Sequence, residues 1–161
     1  MKLIIRCVTL SFAVLLALPG LAQGKKEGEK EEPIELKQVP RAVIIEFKRS
    51  YPNAVIKGCS KETVKGWTRY ELETKDGKVS RDILYDPDGT PIVIEESIRL
   101  SALPLPVREA IKREYPGGKV TRQEKIITYD KTQYEVIVKS GREIHELVYG
   151  GDGTLVKSEK K

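Results

Sequence analysis

The chain has 161 residues, with 29 Lys and Arg against 24 Asp and Glu, one histidine and two cysteines. Acids and bases are interleaved along every segment, so the clustered basic face that a nucleic-acid partner requires is missing. One histidine cannot make a zinc site of usual composition, and two cysteines cannot build a disulfide framework.

In chain order, Met1-Lys2-Leu3-Ile4-Ile5-Arg6, an apolar run from Cys7 to Leu18 and then Pro19-Gly20-Leu21-Ala22-Gln23 predict a secretory signal peptide over 1–22, cleaved after Ala22. The run is shorter than the about 20 apolar residues of a spanning helix, and no later segment is long or apolar enough to cross a bilayer. The expectation is a bacterial periplasmic or secreted protein with no membrane span after cleavage. Loss of Lys2 and Arg6 leaves 27 bases against 24 acids, a formal charge of about +3 rather than +5. Cys7 departs with the leader, so Cys59 has no internal disulfide partner and reads as a small, half-buried strand residue.

Residues 23–35 form a charged linker in which Gly24 to Pro33 carry no apolar side chain, which predicts disorder, with ordered structure beginning near Leu36. From there the chain repeats. Pairing residue n with n+64 runs without a gap from Val39/Leu103 to Glu95/Glu159, and 17 of the 57 pairs are identical, among them Pro40/Pro104, Tyr51/Tyr115, Pro52/Pro116, Tyr85/Tyr149 and Gly89/Gly153. Identities concentrated at turns and aromatics mark a tandem duplication, with repeat 1 over 36–98 and repeat 2 over 99–161.

Each repeat opens with a helix. Proline is tolerated in a first turn, and Val43, Phe47 and Tyr51, or Val107, Ile111 and Tyr115, follow at intervals of four. Pro52 and Pro116 end it, and Asn53 or Gly117 permits the turn into a strand. Ile44 and Ile45 widen the apolar arc of the first helix where Arg108 and Glu109 stand in the second, so the first helix is expected to be the more buried, or to face the other repeat. The remainder reads as strands. Thr68, Tyr70, Leu72 and Thr74 alternate with Trp67, Arg69, Glu71 and Glu73, the period of a sheet covered on one face and wet on the other. Lys75-Asp76-Gly77-Lys78 and Lys139-Ser140-Gly141-Arg142 are hairpin turns, and further turns fall at Asp86-Pro87-Asp88-Gly89 and Gly150-Gly151-Asp152-Gly153. The fold class is α+β: two tandem repeats, each a helix packed on a roughly four-stranded antiparallel sheet. A single repeat of about 60 residues would be marginal alone, so the two are expected to form one body with sheets side by side, helices on one face and the other face open.

The succession Leu-Pro, Val-Arg-Glu-Ala-Ile-Lys, Tyr-Pro-Gly-Gly, Tyr-Glu-Val and Asp-Gly-Thr-Leu resembles the PepSY-like family of exported bacterial domains, itself described as similar to the β-lactamase inhibitory protein. The resemblance covers nearly all of the chain after the linker, twice over. It implies a helix on a four-stranded antiparallel sheet per repeat, export, and a role in binding or inhibiting other proteins, and it implies no catalytic residues.

The candidate chemistry is sparse. Asp86-Pro87-Asp88-Gly89-Thr90 begins like a calcium loop, but the twelfth position is Ser97 where such a loop needs glutamate, and Gly150 replaces Asp86 in repeat 2, so a hairpin turn is expected. His145, opposite Arg81 in the duplication, reads as a polar strand residue. Glu71, Glu73, Asp82, Glu95, Glu135, Glu143 and Glu146 are expected to be solvated charges, since general acid chemistry needs a carboxyl held in a dry pocket. No nucleophile, base and stabiliser can be assembled, so no enzyme and no cofactor or metal is expected. Trp67 shares the uncovered face with Arg69 and Glu71, and with Gln133 and Glu135 of repeat 2, and Trp and Arg are the usual anchors of protein interfaces. These five residues are the candidate partner-binding set; the alternative is that Trp67 folds over a sheet edge or caps the junction between the repeats. The leading reading is an exported non-enzymatic binding module that uses its open sheet face on another exported or envelope protein, with inhibition of a protease or hydrolase as its finer form. The alternative is an envelope sensor or carrier holding a small ligand or metal ion between the repeats.

Overall fold

The computed structural model describes residues 30–64 and 66–161; the signal peptide expected over 1–22 lies outside them, as does the linker before residue 30. The described chain runs β1 (Lys30–Pro33), α1 (Arg41–Ser50), β2 (Val55–Val64), β3 (Trp67–Asp76), β4 (Val79–Tyr85), β5 (Pro91–Ser97), α2 (Leu105–Glu114), β6 (Lys119–Thr128), β7 (Thr132–Ser140), β8 (Glu143–Gly150) and β9 (Leu155–Lys160). All nine strands form one antiparallel sheet in chain order.

This corrects the expectation of two four-stranded sheets. β5 pairs with β6 from Val93↔Thr128 to Ser97↔Glu124, so the last strand of repeat 1 is an interior strand that joins the two repeats through its backbone. The ninth strand comes from the linker. Lys30–Pro33 pairs with β2, so order begins before Leu36 and the linker's expected disorder does not hold over 30–35. The reason is physical: a strand added to an edge is held by backbone hydrogen bonds and needs no apolar side chain of its own. Lys61 Nζ lies 2.6 Å from Glu32 Oε1 across this pair, and the Ile34 N–H donates to the Cys59 carbonyl at 3.0 Å.

Cross-strand partners share a face, and following them from Leu72 to Ile83, Ile94 and Ile127 and on to Thr132 and Val136 places both helices on the same side of the sheet. Val43 and Phe47 of α1 pack on Leu72, Ile83 and Tyr85, and Val107, Ala110 and Ile111 of α2 pack on Val136, Val138, Leu147 and Tyr149. Pro40 and Pro104 cap the helices, and the Tyr51 and Tyr115 N–H groups close the last turns onto the carbonyls of Phe47 and Ile111, both at 2.8 Å. The wider apolar arc of α1 is not used as expected. Ile44 is partly buried, but Ile45 points to solvent, and α1 buries two side chains fully where α2 buries three.

The turn glycines fix how strands meet helices. Gly89 and Gly153 have φ of +92° and +83°, and a Cβ on either would lie 2.8 Å from the Ala42 carbonyl oxygen or 2.7 Å from that of Pro106. The β4–β5 and β8–β9 turns therefore press against the first turn of α1 and α2, and only glycine meets both requirements.

Candidate functional site

The register assigns the face that neither helix covers. Arg69, Glu71 and Glu73 of β3 stand beside Asp82 and Leu84 of β4, then Val93 and Glu95 of β5, then Glu124 and Ile126 of β6, then Gln133 and Glu135 of β7. Register slips at Ile56/Gly58, Leu84/Tyr85, Val120/Arg122 and Val148/Tyr149 bend and over-twist the strands, so so wide a sheet does not lie flat.

The middle of this face is not wet. Leu84, Val93, Ile126 and Val148 form a buried apolar cluster of their own, and Glu95 and Glu124 beside it are only 4% and 6% exposed. The expectation of an open polar face thus fails at its centre, and the expectation that its carboxylates are solvated fails with it. Burial, followed by the charges of Glu135, Glu124 and Asp82, pushes the Glu95 carboxyl up to about 9, against the opposing pull of Arg122. Burial and then Asp82 raise Glu71 to about 7, burial and then Glu146 raise Glu135 to about 7, and burial and then Glu124 raise Asp82 to about 6. Arg122 Nη2 donates to both carboxylate oxygens of Glu124 at 2.7 and 2.8 Å, while Glu95 Oε2 is buried without a hydrogen-bond partner among the described residues. Glu95, Glu124, Glu135 and Asp82 therefore all act on one guanidinium, that of Arg122. Glu73 and Glu143 are exposed, as expected, and Glu146 is drawn to Lys157 and Lys161 at 3.9 and 2.8 Å.

Of the five candidate residues, Trp67 is 76% exposed at the start of β3, away from any core. Arg69 is half-buried with Nε 3.9 Å from Asp86 Oδ1, and Glu71, Gln133 and Glu135 are also half-buried. They share a face but not a patch, because β3 and β7 are four strand spacings apart, about 19 Å. What lies between them is Asp82, Glu95 and Glu124. Alternation alone leaves Glu95 a solvated charge, and only the β5–β6 pairing makes it central. Tyr129 was also missed. It is fully exposed in the β6–β7 turn, two residues short of the place equivalent to Trp67, so both aromatics project from hairpins at the same end of the sheet.

The other candidates are structural. Asp86 N–H donates to the Thr90 carbonyl at 2.9 Å and Gly89 N–H to Asp86 at 2.9 Å, with Gly150, Gly153 and Thr154 repeating the pattern, so the calcium-like segment is a hairpin turn. The Thr90 N–H donates to Asp88 Oδ1 at 2.9 Å and holds that carboxyl below its ordinary range. Among the described residues no three His, Cys, Asp or Glu side chains converge to hold a metal ion. The His145 ring packs tilted against Tyr115, with centroids 4.8 Å apart, as Arg81 lies 4.9 Å over Tyr51, the same place in each repeat. Cys59 and His145 pair with Leu72 and Val138, which puts both on the helix-covered face, opposite Glu95. The Cys59 thiol donates to the Ile34 carbonyl at 3.1 Å, and its equivalent Gln123 donates through Nε2 to the Ile98 carbonyl at 2.7 Å.

The family model described as "Putative beta-lactamase-inhibitor-like, PepSY-like" matches residues 24–93 and again residues 68–157. No curated protein matches the chain. Among solved structures, one of the "putative periplasmic proteins" of Bacteroides eggerthii superposes with a TM-score of 0.64 at 16% identity, over 76% of this chain and 88% of that one. A DUF2874 family protein from Bacteroides uniformis gives 0.63 at 16% identity over 75% and 88%. A BLIP-like protein from Bacteroides fragilis gives 0.59 at 22% identity over 75% and 86%. At these identities the likeness is one of fold.

Proposed function

Because this chain belongs to the PepSY-like family, matched twice along its length, we propose that it is an exported, non-enzymatic binding module whose partner is another protein of the envelope or the surroundings. Export rests on the leader-like residues 1–22, and the description of a structural neighbour as periplasmic agrees with it. The contact surface is the helix-free face, and its centre dictates the partner's chemistry. A buried carboxyl oxygen with no hydrogen-bond partner among the described residues, set among the carboxyls of Asp82, Glu124 and Glu135 and one arginine, is matched by a cationic group, so the partner offers Lys or Arg to the β4–β6 strip. Trp67 and Tyr129 at the hairpin ends supply aromatic anchors on the rim. The observation that carries this reading is the unpaired Glu95 Oε2 in its acidic surround. A non-enzymatic role is supported by the separation of groups: the thiol and the imidazole that would serve as nucleophile or base lie on the other side of the sheet from the raised carboxyls.

Inhibition is the finer form of this reading: a protease or hydrolase held on the face would lose activity. The test is capture from envelope extract at pH 6 and pH 8 with wild type, a Glu71→Lys/Glu135→Lys variant and a Glu109→Lys control on the helix side. A specific partner is retained by wild type and control, lost by the sheet-face variant, and held more tightly at pH 8, because a cation lowers the pKa of the carboxyls it meets and binding releases their protons. Equal capture by all three proteins would remove the sheet face from the reading. A captured hydrolase is then assayed for loss of activity. The second reading, a carrier or sensor of a small ligand, is favoured by a groove elsewhere on the molecule.

A further inference from the structure

Beside α2 lies a groove of about 530 Å³, bounded by the 3-10 turn at Leu100–Ala102, the flank of the helix that carries Arg108, Ile111 and Lys112, and the start of β6. Its apolar walls come from Leu100, Ile111, Tyr115 and Val120, and Arg108 and Lys112 stand along it. These two cations are four residues apart on one helix and so lie on the same side. Neither has an ion-pair partner among the described residues, although Arg113 next to them is paired with Glu114 at 3.1 Å. A volume of this size, apolar walls and few polar groups are the marks of a small-molecule site.

Repeat 1 provides an internal comparison, because different side chains stand at the same place there. Ile44 stands where repeat 2 has Arg108 and is partly buried against the core; Phe47 stands where repeat 2 has Ile111 and is 2% exposed. The Phe47 ring is larger than the Ile111 side chain, which is 5% exposed at the groove, and an aliphatic side chain stands where Arg108 offers a charge. Two divergences at one site, one making room and the other supplying charge, serve one ligand type.

We propose that this groove binds a long-chain fatty-acid carboxylate, with the acyl chain against Leu100, Ile111, Tyr115 and Val120 and the head group between Arg108 and Lys112. Carboxylate and guanidinium are matched in charge and planar geometry, and the apolar walls exclude a small hydrophilic anion as the main occupant.

The experiment is a fluorescence titration of the purified protein with cis-parinaric acid, displaced by palmitate. Wild type is expected to saturate at one equivalent. Ile111→Phe, which installs the repeat 1 residue, weakens binding by roughly tenfold, and Arg108→Ile, likewise the repeat 1 residue, weakens it about fivefold and reduces its salt dependence. Both variants are checked for an unchanged melting temperature. Because the acidic face lies on the other side of the sheet, Glu135→Lys leaves parinarate binding intact, so failure here and failure of the protein-binding reading are told apart. Binding unaffected by both groove variants, displacement by methyl palmitate as effective as by palmitate, or no saturable binding at all would overturn the proposal.

Discussion

Val43, Phe47, Leu72, Ile83 and Tyr85 of repeat 1 and Val107, Ile111, Val136, Leu147 and Tyr149 of repeat 2 occupy equivalent places and make two separate cores under two equivalent helices. On the outside the repeats part company. Ile44 becomes Arg108, Val93 becomes Lys157, and the glutamate shared by both, Glu95 and Glu159, lies inside one and at the rim of the other. Duplication has preserved what seats a helix on a sheet and released what faces outward. The same residue type even acquires opposite character: burial raises the Glu95 carboxyl, while a hydrogen bond from Lys157 lowers that of Glu159. The difference is one of position, since β5 has a strand on either side and β9 has one.

The sharpest way to break this comparison is to ask whether two cores mean two folding units. The continuous sheet argues for one, because β5 cannot unfold with repeat 1 without stripping the edge of β6. Ile83→Ala and Leu147→Ala, each removing a fully buried side chain, are both expected to cost about 3 kcal/mol. In a body of this size that is roughly 10 °C of melting temperature. Both variants should lower a single calorimetric transition. Two transitions, with each variant moving one, would show the repeats to be independent.

Next in size is the helix-seating turn. Gly89→Ala and Gly153→Ala each force a side chain into the positive-φ region and into a carbonyl of the helix below, at 2.8 and 2.7 Å. Each is expected to cost about 2 kcal/mol, equally in the two repeats. Gly77→Ala has the positive φ but open space around it, so denaturant melts should rank it well below the other two.

These elements also mark how far the sequence is legible. Helix caps, hairpin turns and the covered face follow from proline, glycine and alternation, all of which act within a few residues. The pairing of β5 with β6 has no such local signature, and without it Glu95 looks like a charge on an edge. β1 was illegible for a related reason, as composition speaks of side-chain burial and Lys30–Pro33 is held by backbone. Of the candidate site, alternation correctly grouped Arg69, Glu71, Gln133 and Glu135 on one face but could not give the three strands that separate the two pairs.

The acidic centre permits a pH test of interior against rim. Glu95 faces Asp82 on β4, Glu124 and Arg122 on β6 and Glu135 on β7. Its folded pKa is raised, so folding takes up a proton that the unfolded chain gives away; its contribution is fully present below about pH 4.5 and is lost as pH rises towards 9. Glu71, Glu135 and Asp82 act in the same direction over windows that end near 7, 7 and 6. Melting temperature should therefore fall from pH 5 to pH 9, and Glu95→Gln should flatten that slope, by roughly 4 °C at its alkaline end. Glu159→Gln should leave the slope as it is. A wild-type slope of opposite sign would mean that the centre of the face is solvated after all.

The smallest effect tests equivalence itself. Cys59 and Gln123 differ in every chemical respect except that each presents a donor to a carbonyl of the strand end that precedes its helix, Ile34 in one repeat and Ile98 in the other. If the donor is what the site requires, Cys59→Gln should be neutral and Cys59→Ala should cost about 0.5–1 kcal/mol, the worth of one hydrogen bond between partly buried groups. Gln123→Ala should cost at least as much, because an amide is a stronger donor than a thiol. Burial, and then the charge of Glu73, raise the Cys59 pKa, so alkylation by iodoacetamide at pH 8 should be slower than for a free thiol. Should Cys59→Ala prove neutral while Gln123→Ala destabilises, the strand end is tied in repeat 2 alone, and β1 is held to β2 by its backbone ladder and the Glu32–Lys61 pair.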